Sequence, residues 1–262
     1  MNIFWFRRDL RIEDNVGLFH ALSSNEEVLP IFIFDEIILS QLPKDDARVT
    51  FIHEQLEKIQ SELNKIGKSL AVFHGNPIEV FTKLISENKI TSVYTNHDYE
   101  PYARKRDKEM NQLFVANGIS FLTSKDQVIF EPGEILNGSG EFYKVFTPFS
   151  KNWLEKFKQS KVQPFPEPNW KNLFSTSPLS GITLEEMGFK PSQISIPPKT
   201  TDRNLIKTYD ETRNFPAKPG TTRLGIHLRF GTISVRQLAL EAAGLNDTYL
   251  NELIWREFYV MI

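Results

Sequence analysis

The chain has 262 residues, 40% hydrophobic and 24% charged, with a formal net charge of −2 and no cysteine. That length suits one large domain or two ordinary ones, and the composition is that of a soluble globular protein. The absence of cysteine excludes a disulfide framework and any thiolate metal site. The longest apolar runs, such as LPIFIF at 29–34, are far too short to span a bilayer as a helix. The start, MNIFWFRRDLR, puts apolar residues before charges, the reverse of a secretory leader, so a cytoplasmic protein is expected. Charge is uneven: residues 1–140 hold 15 Lys+Arg against 21 Asp+Glu, and residues 141–262 hold 16 against 12. A polyanionic partner would therefore favour the C-terminal part.

Strands are expected at 2–6, 28–34, 69–73, 92–95 and 119–122, where β-branched and aromatic residues cluster. Helical patterns lie between them. From Ala47 to Ile66 the apolar residues Ile52, Leu56, Ile59, Leu63 and Ile66 recur at steps of three and four, and Gly67 supplies the stop. Asn76-Pro77 opens the next helix with a cap and a first-turn proline. A third runs from Pro101 to Ala116. Such alternation predicts an α/β fold, a doubly wound, Rossmann-like parallel sheet over residues 1–128. Residues 129–200 read as a long connector rich in proline and glycine, interrupted by one helix from Pro148 to about Phe157 with Thr147 as its cap. From Thr201 the pattern is helical: Asp202 to Thr212, a segment through Phe230, Ser234 to Ala243 with Gly244 at its end, and a last helix capped by Asp247.

Three segments carry candidate chemistry. WFRRDLRIEDN at 5–15 follows the first strand, placing Arg7, Arg8, Asp9 and Arg11 at the mouth of the sheet, where doubly wound folds bind ligands. A surface ion-pair cluster pinning the loop is the plainer account, and no G-x-G-x-x-G supports a dinucleotide there. In TTRLGIHLRFG at 221–231, hydroxyls and free N–H groups at a helix start suit an anion, and Arg223 adds a planar fork for phosphate; an ordinary N-cap explains the Thr-Thr pair equally well. In NELIWREFY at 251–259, Glu252 and Arg256 stand in the order that favours an exposed i,i+4 ion pair. Glu252 and Trp255 also share a face, so that a carboxylate beside an indole could read a nucleobase. His53, His74 and His97 show no metal-ligand spacing, and no metal is expected.

WFRRDLR, YKVFTPF at 143–149, TTRL at 221–224, LRFG at 228–231 and NELIWREFY, in that order, resemble the photolyase/cryptochrome family along the whole chain. The resemblance implies an N-terminal α/β domain, a connector, and an all-helical domain, starting here at 201–262, that holds FAD. It implies flavin contacts at Tyr209, Thr221, Thr222, Arg223, Leu224, Gly225 and Tyr249. Contacts to DNA and to a flipped pyrimidine dimer are implied at Arg213, Glu252, Trp255 and Arg256. The implied activity is light-driven repair of cyclobutane pyrimidine dimers by electron transfer from reduced FAD, as a deoxyribodipyrimidine photo-lyase, with the target extruded from the duplex. A blue-light photoreceptor of cryptochrome type is the alternative, and a stand-alone nucleotide-binding module ending near Ile129 leaves NELIWREFY unexplained.

Departures from the family pattern shape further expectations. The helical domain of the family is longer than the residues after Thr201, so the sequence reads as an N-terminal portion, inactive alone and with no catalytic residue of its own. Gly225 replaces a common serine, removing one phosphate hydrogen bond. Tyr102-Ala103 stands where folate-binding members carry Asn-Glu, which disfavours a folate antenna and leaves a flavin-type antenna or none. Leu253, Ile254, Phe258, Val260 and Ile262 are expected to form an exposed apolar patch through which the chain self-associates.

Overall fold

The computed structural model describes residues 1–174, 181–200 and 202–262; the expected helical start at Thr201 lies outside them. Two compact units organise the chain. One comprises Met1–Asp126, Phe165–Ile196 and Phe230–Thr232, the other Gln127–Pro164, Pro197–Arg229 and Ile233–Ile262. Segments of the 129–200 connector thus belong to each.

In the first unit the order is β1 (Asn2–Phe6), α1 (Val16–Leu22), β2 (Val28–Asp35), α2 (Glu36–Leu39), α3 (Ala47–Asn64), β3 (Ala71–Gly75), α4 (Pro77–Glu87), β4 (Ser92–Asn96), α5 (Pro101–Ala116) and β5 (Ser120–Ser124). The strands form one parallel sheet in the order β3-β2-β1-β4-β5, flanked by helices. This is the predicted doubly wound architecture. Every residue of β1 and β2 is buried, as expected of strands covered on both faces. Ile3, Trp5, Ile31 and Val93 share one core with Phe81 and Leu84 of α4 and Met110 and Phe114 of α5. Each such side chain contributes about 2 kcal/mol of burial. Helix α1 lies so close to the sheet that a Cβ at Gly17 would stand 2.8 Å from Asn96 Oδ1 and 2.9 Å from Phe4. Only glycine fits there.

Two strands are displaced from their expected positions by competing hydrogen bonds. Ser69 Oγ and the Leu70 N–H both donate to Gln60 Oε1 of α3, at 3.2 and 2.9 Å, so β3 begins at Ala71. The Ile119 N–H closes α5 on Phe114 O at 2.9 Å, which delays β5 to Ser120. Helices α1 and α2 lacked a readable period in the sequence, since seven and four residues are too few to establish one.

The second unit is helical: α6 (Phe146–Ser160), α7 (Arg203–Lys207), α8 (Tyr209–Thr212), α9 (Gly225–Arg229), α10 (Val235–Leu245) and α11 (Asp247–Met261). Helix α6 starts two residues before the expected Pro148, with Val145 rather than Thr147 at its cap position. A proline tolerates the first turn because its missing N–H has no partner to lose there. The expected 202–212 helix is two, broken at Thr208 (φ −104°, ψ 17°). Ser234 caps α10, accepting from the Gln237 N–H at 3.2 Å, but Gly244 lies inside that helix. The cap of α11 is Asn246, not Asp247; its side chain accepts from the Tyr249 N–H at 3.0 Å.

The core of this unit joins Phe149 and Trp153 of α6, Leu238 and Ala242 of α10, and Leu250, Leu253, Ile254 and Phe258 of α11. Leu253, Ile254 and Phe258 are therefore buried at 5%, 0% and 5% exposure, against the expectation of a sticky patch. Residues 129–135 and α6 supply the cover that the sequence pattern did not reveal. Ile262 alone of the five is largely exposed.

Candidate functional site

Helix α11 is held in register by a buried carboxylate. Glu257 is 1% exposed and accepts from the N–H groups of Ile129 and Phe130 (3.2 Å for the latter) and from Trp153 Nε1–H at 2.6 Å. Burial pushes its pKa up to about 7 against the pull of these donors. The sequence showed Glu257 only as part of a motif; its role as a clamp needed the fold. Arg256 works beside it, donating to Gln127 O at 2.8 Å and Leu228 O at 3.3 Å. The expected partner of Glu252 was Arg256; the carboxylate pairs with Arg213, each side chain about one-third exposed, and the Arg213 guanidinium lies 5.4 Å from the Tyr209 ring centre.

With α11 fixed in this way, one small cavity of about 130 Å³ is lined by Tyr209, Thr221, Thr222, Leu224, Gly225, Leu228, Tyr249, Glu252, Leu253 and Arg256. Eight of the residues singled out in the sequence thus meet around a single space. Leu228 and Leu253 are additions, apolar wall from LRFG and NELIWREFY to which the sequence assigned no site role. The Thr222 and Tyr249 hydroxyls are hydrogen-bonded at 2.9 Å, and Tyr249 meets Tyr209 edge-on at 5.1 Å. Burial pushes the Tyr249 phenol up, and Thr222 lowers it, so it is a neutral hydrogen-bonding group here. The loop reaches the cavity through a left-handed residue, Arg223 (φ 54°). For a non-glycine residue that conformation costs about 1–3 kcal/mol. Arg223 itself is exposed and does not line the cavity. The helix that follows, α9, has five residues.

Trp255 and Arg213 lie beside this cavity rather than in its wall. The indole of Trp255 stacks face to face on Phe146, centroids 3.5 Å apart and planes 6° apart, with Tyr259 offset at 5.6 Å and 24°.

In the first unit Arg7, Asp9 and Arg11 are buried, while Arg8 is partly exposed. Arg7 binds Asp107 and Asn96 O, and Arg8 binds Asp98 and Glu100 at 3.1 Å each. Arg11 binds Asp126 at 2.8 Å and Gly231 O at 3.0 Å. Gly231, the glycine of LRFG, has φ 59° and no room for a Cβ against Arg8 O. Two motifs 220 residues apart in sequence therefore pack as one. Ala103 is buried, while Tyr102 donates to Asp35 Oδ2 at 2.7 Å.

Among the described residues no helix is long and apolar enough to cross a membrane, and no cluster of potential ligands could hold a metal ion. Residues 2–169 match the model of the DNA photolyase family. A deoxyribodipyrimidine photo-lyase of Synechococcus is 33% identical over 98% of this chain and 59% of its own length. The chain thus spans about three fifths of such relatives. A 31.6 kDa Synechococcus protein of unassigned function is 31% identical and is covered over 99% of its length. A solved archaeal photolyase from Sulfolobus tokodaii, described with two FAD molecules, superposes with a TM-score of 0.74 at 31% identity, over 100% of this chain and 59% of the other. Motif order, parallel sheet and sequence match agree: the chain belongs to the DNA photolyase family.

Proposed function

We propose that this chain serves light-driven repair of cyclobutane pyrimidine dimers in DNA, as a deoxyribodipyrimidine photo-lyase, and that its helical unit supplies the lesion-reading face and one end of an FAD site. The observation that carries this reading is the shared cavity, where the Thr221–Gly225 loop and the Glu252–Arg256 face of α11 form one wall. The donor set fits the polar, diphosphate-bearing end of a dinucleotide: hydroxyls at Thr221, Thr222, Tyr209 and Tyr249, and the Arg256 guanidinium. A volume of about 130 Å³ is below the 300–1,000 Å³ usual for a whole ligand of that size. The chain alone therefore grips only part of the cofactor and performs no repair by itself. When bound, reduced FAD supplies the electron that opens the cyclobutane ring under light.

The chain's own residues do the recognition. Glu252 is placed to accept from a pyrimidine N–H, and Trp255 to stack on the linked pyrimidines of an extruded dimer. Arg213 and Arg256 supply positive charge on the same side. Leu224, Leu228 and Leu253 keep water from the cavity wall, which strengthens every polar contact made there. The antenna site, if used, takes a flavin rather than a folate, since Ala103 offers no acceptor to a pterin.

A photoreceptor role is the second reading, and the Arg213–Glu252 pair favours it. A carboxylate already engaged must exchange partners before it can accept from a base. Anisotropy titration with a thymine-dimer oligonucleotide and its undamaged twin separates the two. Repair predicts a dimer preference that Glu252→Ala reduces by about 5- to 100-fold, the equivalent of one good base contact. No preference in the unaltered chain contradicts the repair reading.

A further inference from the structure

We infer that Phe146 is a positioning residue for lesion recognition: its ring is the fixed back plate that sets the plane of Trp255. This deepens the repair reading and rests on it.

At about 100° per residue, Tyr259 sits about 20° from Glu252 around α11, Trp255 about 60° away in the same direction, and Phe258 about 120° away. Phe146 stacks on Trp255 at 3.5 Å and meets Phe258 edge-on at 5.8 Å. It therefore covers Trp255 from the Phe258 side, away from Glu252. A base that bonds Glu252 and stacks on the same indole must use the opposite face. On that side stands only Tyr259 among the ring contacts of the described residues, offset and 65% exposed.

Phe146 is well placed to stay still. It opens α6, whose Phe149 and Trp153 are 1% and 0% exposed, and Trp153 is bonded to the Glu257 clamp. Trp255 alone could turn about χ1 and χ2; against a parallel ring it cannot without losing the stack, which is worth something beyond area burial. A preset indole loses less rotamer freedom when a base arrives. Phe146 touches no substrate in this scheme and acts through Trp255.

The test uses the 262-residue chain, a single-stranded oligonucleotide with one thymine dimer, and the undamaged strand. The variants are Phe146→Leu, Phe146→Tyr and Trp255→Ala, each with a urea midpoint. The expected result is that Phe146→Leu lowers dimer preference about tenfold, within the range of one base–aromatic stack. Phe146→Tyr, which keeps the ring, retains the preference, and the midpoints of the two Phe146 variants agree. If Trp255→Ala abolishes the preference and Phe146→Leu keeps it, the back-plate role is wrong and the repair reading stands. Equal losses in the Leu and Tyr variants, with equal falls in midpoint, make Phe146 purely structural and also overturn it. No dimer preference in the unaltered chain removes both.

Discussion

Glu257 carries the largest share of local order of any single side chain in the helical unit. Three N–H donors converge on a carboxylate that is 1% exposed, so Glu257→Ala orphans all three. At about 1–3 kcal/mol for each buried donor left unsatisfied, a loss of roughly 3–5 kcal/mol is expected in urea denaturation. Its titration has a definite sign. The folded state holds the proton up to about pH 7, against an ordinary value of 4.5. This group's stabilising contribution is therefore complete below pH 4.5 and disappears as pH rises through 7. The unaltered chain should lose more stability between pH 5 and 8 than Glu257→Gln; an identical slope would mean that the carboxylate is ionised throughout. Gly225 makes the opposite kind of prediction. A Cβ there meets nothing within 4 Å, so Gly225→Ser fits and adds a hydroxyl to the loop. FAD affinity should rise several-fold, about 1 kcal/mol for one hydrogen bond, as read by calorimetry.

Helix α11 binds the other helices of its unit through both ends. Asn246 caps it and also donates to Lys207 O at 3.0 Å and Asp210 Oδ1 at 2.6 Å, tying α11 to α7 and α8. Asn246→Ala is expected to cost about 1–2 kcal/mol, with a larger effect on the cavity side than on far-ultraviolet helicity. The same residue shows what local sequence conceals. Asn246 and Asp247 are both good caps, and only the neighbouring α8, which takes the Asn246 amide, decides between them. Likewise Thr208 breaks a stretch whose polar composition was compatible with one helix, and Gln60 of α3 captures the residues that pattern alone assigns to β3. The long elements were legible because their own periodicity determines them: α5 lies at its expected Pro101–Ala116. Where β3 and the cap of α11 moved, a hydrogen bond from elsewhere in the fold decided the boundary.

At the scale of the molecule, the sheet and the helical unit divide the labour. WFRRDLR, which by position could have been a ligand mouth, is absorbed into ion pairs and the LRFG turn of the first unit. Sequence alone left that choice open, because Arg11 and Gly231 meet only in three dimensions. The cavity residues were legible as separate motifs, and their convergence was visible only through the family resemblance until the fold brought them together. Leu228, Leu253 and the Phe146 ring lay inside the quoted motifs, but as apolar side chains they carried no site role until the fold placed them. The functional reading stands on the shared cavity, and equilibrium dialysis of the chain against FAD and against riboflavin bears on it most directly. The account predicts measurable FAD binding, weakened about tenfold by Thr222→Ala through loss of one hydrogen bond to a charged group, and no riboflavin binding. Riboflavin bound as tightly as FAD, or FAD binding unaffected by Thr222→Ala, would contradict it.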